Sequence, residues 1–321
     1  MKNRLLTPAL LLAGLAISAI LPATGLVNDY LQFVLVSLAI NAILCVSLNL
    51  VNGWMGEFSV GHAGFMALGA YASALLTVRL FPGAPSWLIF PLAIVTGGSV
   101  AGLAGLPVGF LSFKTRGDYL AIITLAFLMI VKSGLENIPF TGGPRGLLGI
   151  PHFTNLPWAY FCCVVAFWGV RNLVYSKFGR GISAIREDEV AAESMGVDTR
   201  SAKLAAFVTS AFFAGVAGAL FAHQLQFINP SSFDILKSTE MLVMVYLGGV
   251  ASLGGSLLGA GVVTVLTQIL QPLGTWRMVV LPLMLVLLML FRPSGIMGYS
   301  DWSWLKPRGE RNPKPKPAPK Q

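Results

Sequence analysis

The sequence predicts an all-α protein, a polytopic transmembrane helical bundle of roughly 8–10 spans with broken or re-entrant glycine-rich helices. Three observations carry that reading. Hydrophobic residues make up 55% of the 321 positions and charged residues only 11%, against about 25% charged in a soluble domain. Apolar runs recur along the chain, and no soluble core of this length hides that much apolar surface, so hydrocarbon is the solvent for most of it. Long runs of alternating apolar and polar residues are absent, which argues for helices rather than a barrel.

The elements follow in order. A span needs ~20 apolar residues, and candidates lie at 5–21, 30–51, 58–78, 87–111, 119–135, 158–175, 204–226, 239–251, 254–271 and 277–291. The first resembles a secretory leader, with Lys2 and Arg4, an apolar stretch and then Leu21-Pro22-Ala23. Retention as a span is the simpler expectation, because further spans follow. Residues 1–29 therefore read as an N-terminal span with its outer connection, 30–297 as the main domain, and 298–321 as a disordered, basic, Pro-rich cytoplasmic tail. Within it, Trp302 and Trp304 stand just before the Lys306–Lys320 stretch and read as interfacial anchors.

The net charge is +9, but Lys and Arg cluster at 171–203 and 306–320, beside apolar spans. Such clusters mark cytoplasmic loops and not a nucleic-acid stripe. Lys2, Arg4, Lys114 and Arg116 fall on the same side, while the connections 136–157 and 227–238 are poor in basic residues. Both termini are thus expected in the cytoplasm. The three cysteines, Cys45, Cys162 and Cys163, sit in apolar runs without metal or disulfide spacing.

No Walker A, HExxH or GxSxG sequence occurs. The chain is expected to be no enzyme and to carry no cofactor or metal. If ATP drives it, ATP and Mg bind partner subunits. The stretch 176–203 is the most unusual polar segment, with five of the thirteen carboxylates. Ser183 to Met195 reads as one short helix placing Ala184, Ile185, Ala191, Ala192 and Met195 near one face. Gly196 suits the C′ position that ends it, and Asp198 suits the N-cap of the next helix. An element of this kind can dock in a partner's groove; a solvated linker is the plainer alternative.

Several stretches resemble the branched-chain amino acid permease family of ABC importers, LivM type. They include Leu48-Asn49-Leu50 with Gly53 and Gly56, Ser59-Val60-Gly61-His62-Ala63-Gly64-Phe65, and Gly69-Ala70-Tyr71. Arg116-Gly117-Asp118-Tyr119, Thr141-Gly142-Gly143, Gly179-Arg180, Ala214-Gly215-Val216-Ala217-Gly218, Gly248-Gly249 and Phe291-Arg292-Pro293-Ser294-Gly295 complete the set. Ala191-Ala192-x-x-x-Gly196 resembles the small-residue core of an importer coupling loop, although Val190 stands where the common motif has Glu. The resemblance covers about 30–297. It implies a permease subunit that moves branched-chain or other hydrophobic amino acids across a bacterial inner membrane. It also implies a second, LivH-type permease, two cytoplasmic ATPase subunits, and a periplasmic or lipid-anchored binding protein. Gly179, Arg180, Ala184, Arg186, Glu189, Ala191, Ala192 and Gly196 would then form the ATPase-coupling loop. The alternatives are the same machinery acting on urea, a short amide or a sugar and, in another class, an ion-coupled secondary transporter. No carboxylate sits mid-span, which speaks against an ion relay.

Thirty-five glycines in a membrane bundle mean close helix contacts and interrupted helices. Gly61-x-x-Gly64 and the glycines at 248–255 are dense enough to break a helix, and broken helices at membrane depth line cavities. Gly61, His62, Gly64, Thr124, Thr141, Gly142, Gly143 and Glu240 are the expected pathway residues; Glu240 begins a span on the outer side, where a wetted helix N-terminus is the plainer reading and a contact to a substrate ammonium the functional one. Tight packing is the competing reading for the glycines, as is a hydrogen-bonded packing role for His62.

Overall fold

The computed structural model describes residues 14, 18, 28–83, 85–114, 119–291 and 295–298. The anticipated first span (apart from residues 14 and 18), Arg116-Gly117-Asp118, Trp302, Trp304 and the tail beyond Gly298 lie outside the described residues. Helices α1 (Asp29–Asn49), α2 (His62–Leu75), α3 (Ser86–Ser112), α4 (Tyr119–Asn137) and α5 (Leu156–Val174) come first. Two short helices follow, α6 (Lys177–Glu187) and α7 (Glu189–Ser194), and then α8 (Thr199–Leu225). Helices α9 (Ile235–Gly248), α10 (Leu253–Ile269) and α11 (Arg277–Phe291) close the bundle. Wider π-helical turns extend α1 over Leu50–Met55 and α2 over Leu76–Leu80. Strands β1 (Leu147–Leu148) and β2 (Phe227–Ile228) pair antiparallel and tie together the connections after α4 and α8.

Among the described residues, six helices are long and apolar enough to cross a bilayer: Asp29–Met55, His62–Leu80, Ser86–Ser112, Tyr119–Asn137, Leu156–Val174 and Thr199–Leu225. The protein is a multi-pass membrane protein. Helices α9, α10 and α11 have 14, 17 and 15 residues. At ~1.5 Å per residue they fall short of the ~30 Å hydrocarbon core. The candidate spans 239–251 and 254–271 are therefore the two arms of a short hairpin that turns at 249–252. Residues 58–61, anticipated as span, are non-helical, and the helix begins at His62.

Helix α8 is the central element and packs on α1, α2 and α3. Apolar burial does not separate a helix interface from lipid, so association rests on close packing between small residues. Gly69, Gly97 and Gly215 meet where α2, α3 and α8 cross, and a methyl group on Gly69 would overlap the Gly215 backbone. Gly218 lies equally close to the Met66 carbonyl, as does Gly259 to that of Met244. The large apolar side chains turned away from this core, among them Leu92, Val95, Leu103 and Phe110 on α3, are exposed and form a hydrocarbon-facing surface.

Candidate functional site: a polar cavity, two helix breaks and a charged loop

Both glycine-rich segments interrupt helices, and the end of α1 that precedes the first break meets the second. Asn49 ends α1 and is fully buried. Its Nδ2 donates to the carbonyls of Gly249 at 3.2 Å and Ser252 at 3.0 Å and to Ser256 Oγ at 2.7 Å. Its Oδ1 accepts from Ala251 N at 3.0 Å. One amide thus satisfies the backbone of the α9–α10 turn, which water would otherwise have to do. Ala251 takes a left-handed φ of 57° within that turn, a conformation an L-residue holds only when its surroundings impose it.

The first break runs from Gly56 to Gly61. Val60 N donates to Thr124 Oγ1 at 3.2 Å. Gly61 lies so close to the Thr124 carbonyl that a Cβ would overlap it, and Gly64 touches Leu128 and Phe127. His62 is buried, with Nε2 2.9 Å from Ser47 Oγ. These four expected pathway residues form the seam between the broken segment, α1 and α4. Thr141 Oγ1 donates to the Leu135 and Ile138 carbonyls at 2.8 and 2.7 Å. Gly142, at φ 88°, presses on the Gly146 carbonyl, and Gly143 follows at φ 58°. This second group shapes the turns after α4.

A cavity of about 460 Å³ opens between α1, α9 and α10, within the size range of small-molecule sites. Of the eight expected pathway residues, all of which are described, Glu240 lines it, and the other seven stand outside its lining. Gly61 and Gly142 sit where a Cβ would overlap a neighbouring carbonyl, and Gly64 where it would crowd Leu128 and Phe127. Lys237 Nζ donates to Glu240 Oε2 at 2.9 Å on one wall. Asp234 stands beside them and caps α9, accepting from Leu236 N at 3.0 Å and Lys237 N at 3.2 Å. Opposite lie Ser37 and Asn41 of α1 and Thr264 and Gln268 of α10, with Asn41 Nδ2 donating to Thr264 Oγ1 at 2.9 Å. Phe33, Ile40, Phe221 and Leu236 supply apolar wall. Sequence reasoning missed Asn41, Thr264 and Gln268. Their signal was spacing: Ser37/Asn41 and Thr264/Gln268 are i,i+4 polar pairs in apolar helices, which puts each pair on one face.

The charged loop is two helices and not the single helix expected over Ser183–Met195. Asp188 is extended, at φ −160° and ψ 112°, and its Oδ1 caps α7 by accepting from Val190 N at 2.9 Å and Ala191 N at 3.0 Å. That cap breaks the helical register, so the single face drawn through 183–195 splits. Ile182, Ile185 and Ala192 turn inward and are buried. Ala184 and Ala191 are exposed, as are Val190 and Met195. Gly179 is buried under the Leu173 and Val174 carbonyls, so it and Ala192 pack the loop against its own chain and present no surface. Arg180 is exposed, and the Arg186 stem lies against Gly56. Glu189 is ion-paired to Lys203 at 2.9 Å. Gly196, at φ 84°, occupies the left-handed position that ends α7. Asp198 caps α8 by accepting from Ser201 N at 3.1 Å. The Ser201 side-chain and backbone hydrogen bonds hold the Asp198 carboxyl below the usual carboxylate range. The capping contribution is therefore present at neutral pH and is lost only as pH falls through that lowered value.

A multi-pass helical bundle with a cavity lined by polar and apolar side chains, two helix breaks and a charged interhelical loop has the build of a membrane permease. The chain belongs to the branched-chain amino acid transport system permease family, whose model matches residues 30–290. It is 34% identical over 290 residues to the high-affinity branched-chain amino acid transport permease LivM of Escherichia coli, covering 79% of this chain and 67% of that protein. A probable LivH permease of Methanocaldococcus jannaschii is 24% identical, over 81% of this chain and 87% of that one. The ribose import permease RbsC of Haemophilus influenzae is 24% identical, over 77% and 76% of the two chains. No solved structure matches.

Proposed function

We propose that this permease is the translocating subunit of an ATP-driven importer in a bacterial inner membrane and that its cargo is an aliphatic α-amino acid. The single observation that carries the cargo is the cavity. It places an ammonium (Lys237) and two carboxylates (Asp234, Glu240) beside an apolar wall. A zwitterion with a hydrocarbon side chain needs that combination, whereas a sugar calls for neutral donors and acceptors throughout. Family membership and the LivM-type relatives support the same cargo. A second, LivH-type permease, two ATPases that carry ATP and Mg, and a binding protein outside complete the machine.

The cavity lies at the end of the bundle where 226–234 connects α8 to α9. The charged loop with Lys177, Arg180, Arg186 and Arg200 lies at the opposite end, which the basic-residue rule assigns to the cytoplasm. An external cavity then receives cargo, and an internal loop receives the ATPase. Glu240→Gln should lower uptake of leucine into proteoliposomes about tenfold, on the scale of one lost charge-assisted contact, with unchanged insertion. Equal loss for a neutral sugar, or none for leucine, would exclude the assignment.

The docking surface is the exposed side of α6 and α7. Ala192→Trp would test folding, because Ala192 is 5% exposed. Met195, 85% exposed, is the informative site. Met195→Asp together with Val190→Asp should abolish copurification of the ATPase subunits while the permease melts at the wild-type temperature.

A further inference from the structure

Lys203 joins three parts of the molecule that are far apart in sequence. It stands in the second turn of α8, and its side chain is only 8% exposed. Its Nζ lies 2.7 Å from Glu57 Oε1 and 2.9 Å from Glu189 Oε2. Glu57 belongs to the non-helical break that leads through Gly61 into α2. Glu189 is the first residue of α7, in the charged loop. One ammonium therefore ties the loop to the broken helix across the end of the central helix. The ring of Phe113 flanks it at 5.9 Å and helps exclude water from that side.

The two pairs are unequal. Glu57 is 22% exposed and Glu189 45%, so water screens the second contact more than the first. A partner that covers or tilts α7 acts on the weaker contact first. Two carboxylates share one ammonium, so loss of Glu189 leaves Lys203 wholly to Glu57 and tightens the hold on the break. The turn that leads into the break is incompletely tied. Asn52 Oδ1 accepts from Ser59 N at 3.2 Å, while Asn52 Nδ2 is the one buried side-chain polar atom without a partner among the described residues. A half-satisfied amide beside a charged latch suits a segment with two arrangements.

We propose that Lys203 is a positioning residue that transmits movement of the 177–194 loop to the 56–61 break through the Glu189–Lys203–Glu57 ion pairs. This rests on the reading that an ATPase docks on the loop, and adds the route by which docking reaches the membrane segment. The test uses the full complex in proteoliposomes. ATPase activity is measured with and without leucine-loaded binding protein, and ATPase copurification is measured in parallel. Lys203→Met should leave copurification and basal hydrolysis intact and reduce the stimulated-to-basal ratio about tenfold, a typical coupling factor. Lys203→Arg should keep the ratio within about twofold, because the charge and both pairs survive. Should Lys203→Met fail to fold, Glu189→Gln at the exposed end is expected to lower the same ratio in an assembled complex. An unchanged ratio in assembled Lys203→Met, or in assembled Glu189→Gln where the lysine variant does not fold, overturns the relay. Failure of the docking reading shows differently: the Val190→Asp, Met195→Asp double variant would then keep its ATPase.

Discussion

Gly69→Val is expected to remove the folded permease from detergent extracts. At the crossing of α2, α3 and α8 a Cβ on Gly69 would overlap the Gly215 backbone, and the Gly69 carbonyl itself lies 2.7 Å from where a Cβ on Gly97 would stand. Nothing there is the yielding end of a side chain; both partners are main chain. Overpacking a core typically costs about 1–3 kcal/mol, and separating two backbones at the centre of the bundle belongs at or above the upper end. Fluorescence size-exclusion and a thermal melt check this. Gly69→Ala should shift the melt in the same direction by less. Gly134→Ala and Gly261→Ala should not lower it and should raise it slightly, because nothing lies within 4 Å of a Cβ at either position and Ala favours a helix interior over Gly by about 0.5–1 kcal/mol. Equal shifts from Gly69→Ala and Gly261→Ala would show that the crossing is not what the glycine serves.

Asn49→Leu is the second large effect. The variant keeps the volume of the side chain and removes both ends of its hydrogen-bonding role. The carbonyls of Gly249 and Ser252 and the N–H of Ala251 lose their amide partner inside the bundle. A buried group left unsatisfied costs about 1–3 kcal/mol, so the sum reaches roughly 2–5 kcal/mol once the turn relaxes. Hydrogen exchange should report it locally: amides at 249–252 should exchange much faster while those of α8 stay protected. Uniform protection at the turn would mean that water or another group replaces Asn49. Asn49→Asp separates donor from acceptor, because it keeps the contact to Ala251 N and loses the three that Nδ2 donates.

Much of this was legible in the residues. The apolar runs place the helices to within a few residues, because hydrocarbon permits no other backbone arrangement for them. The capping grammar was equally readable: Gly196 and Asp198 end and begin helices where their chemistry predicts. The loop helix was misread for a reason inside the same grammar. Asp188 serves as the N-cap of α7, and an Asp among Arg186, Glu187 and Glu189 looks like one more surface charge. The pathway expectation rests on a signal with two readings. Glycine density marks both an opened helix and a closed helix contact, and only the neighbour across the gap separates the two. Gly61 has the Thr124 backbone against it, whereas Asn41 and Gln268, each one of an i,i+4 polar pair in an apolar helix, line the cavity.

The sequence by itself determined the solvent, the helices, the family and the one charged loop, since each rests on composition, local periodicity or motif. Tertiary structure alone decided which small residues touch and which polar residues meet. Asn49 and the 249–252 turn are 200 or more residues apart, and Glu57, Glu189 and Lys203 come from three separate segments that converge on one ammonium. Pairings of that kind carry no local signature, because their energy depends on a distance that only the packed bundle sets.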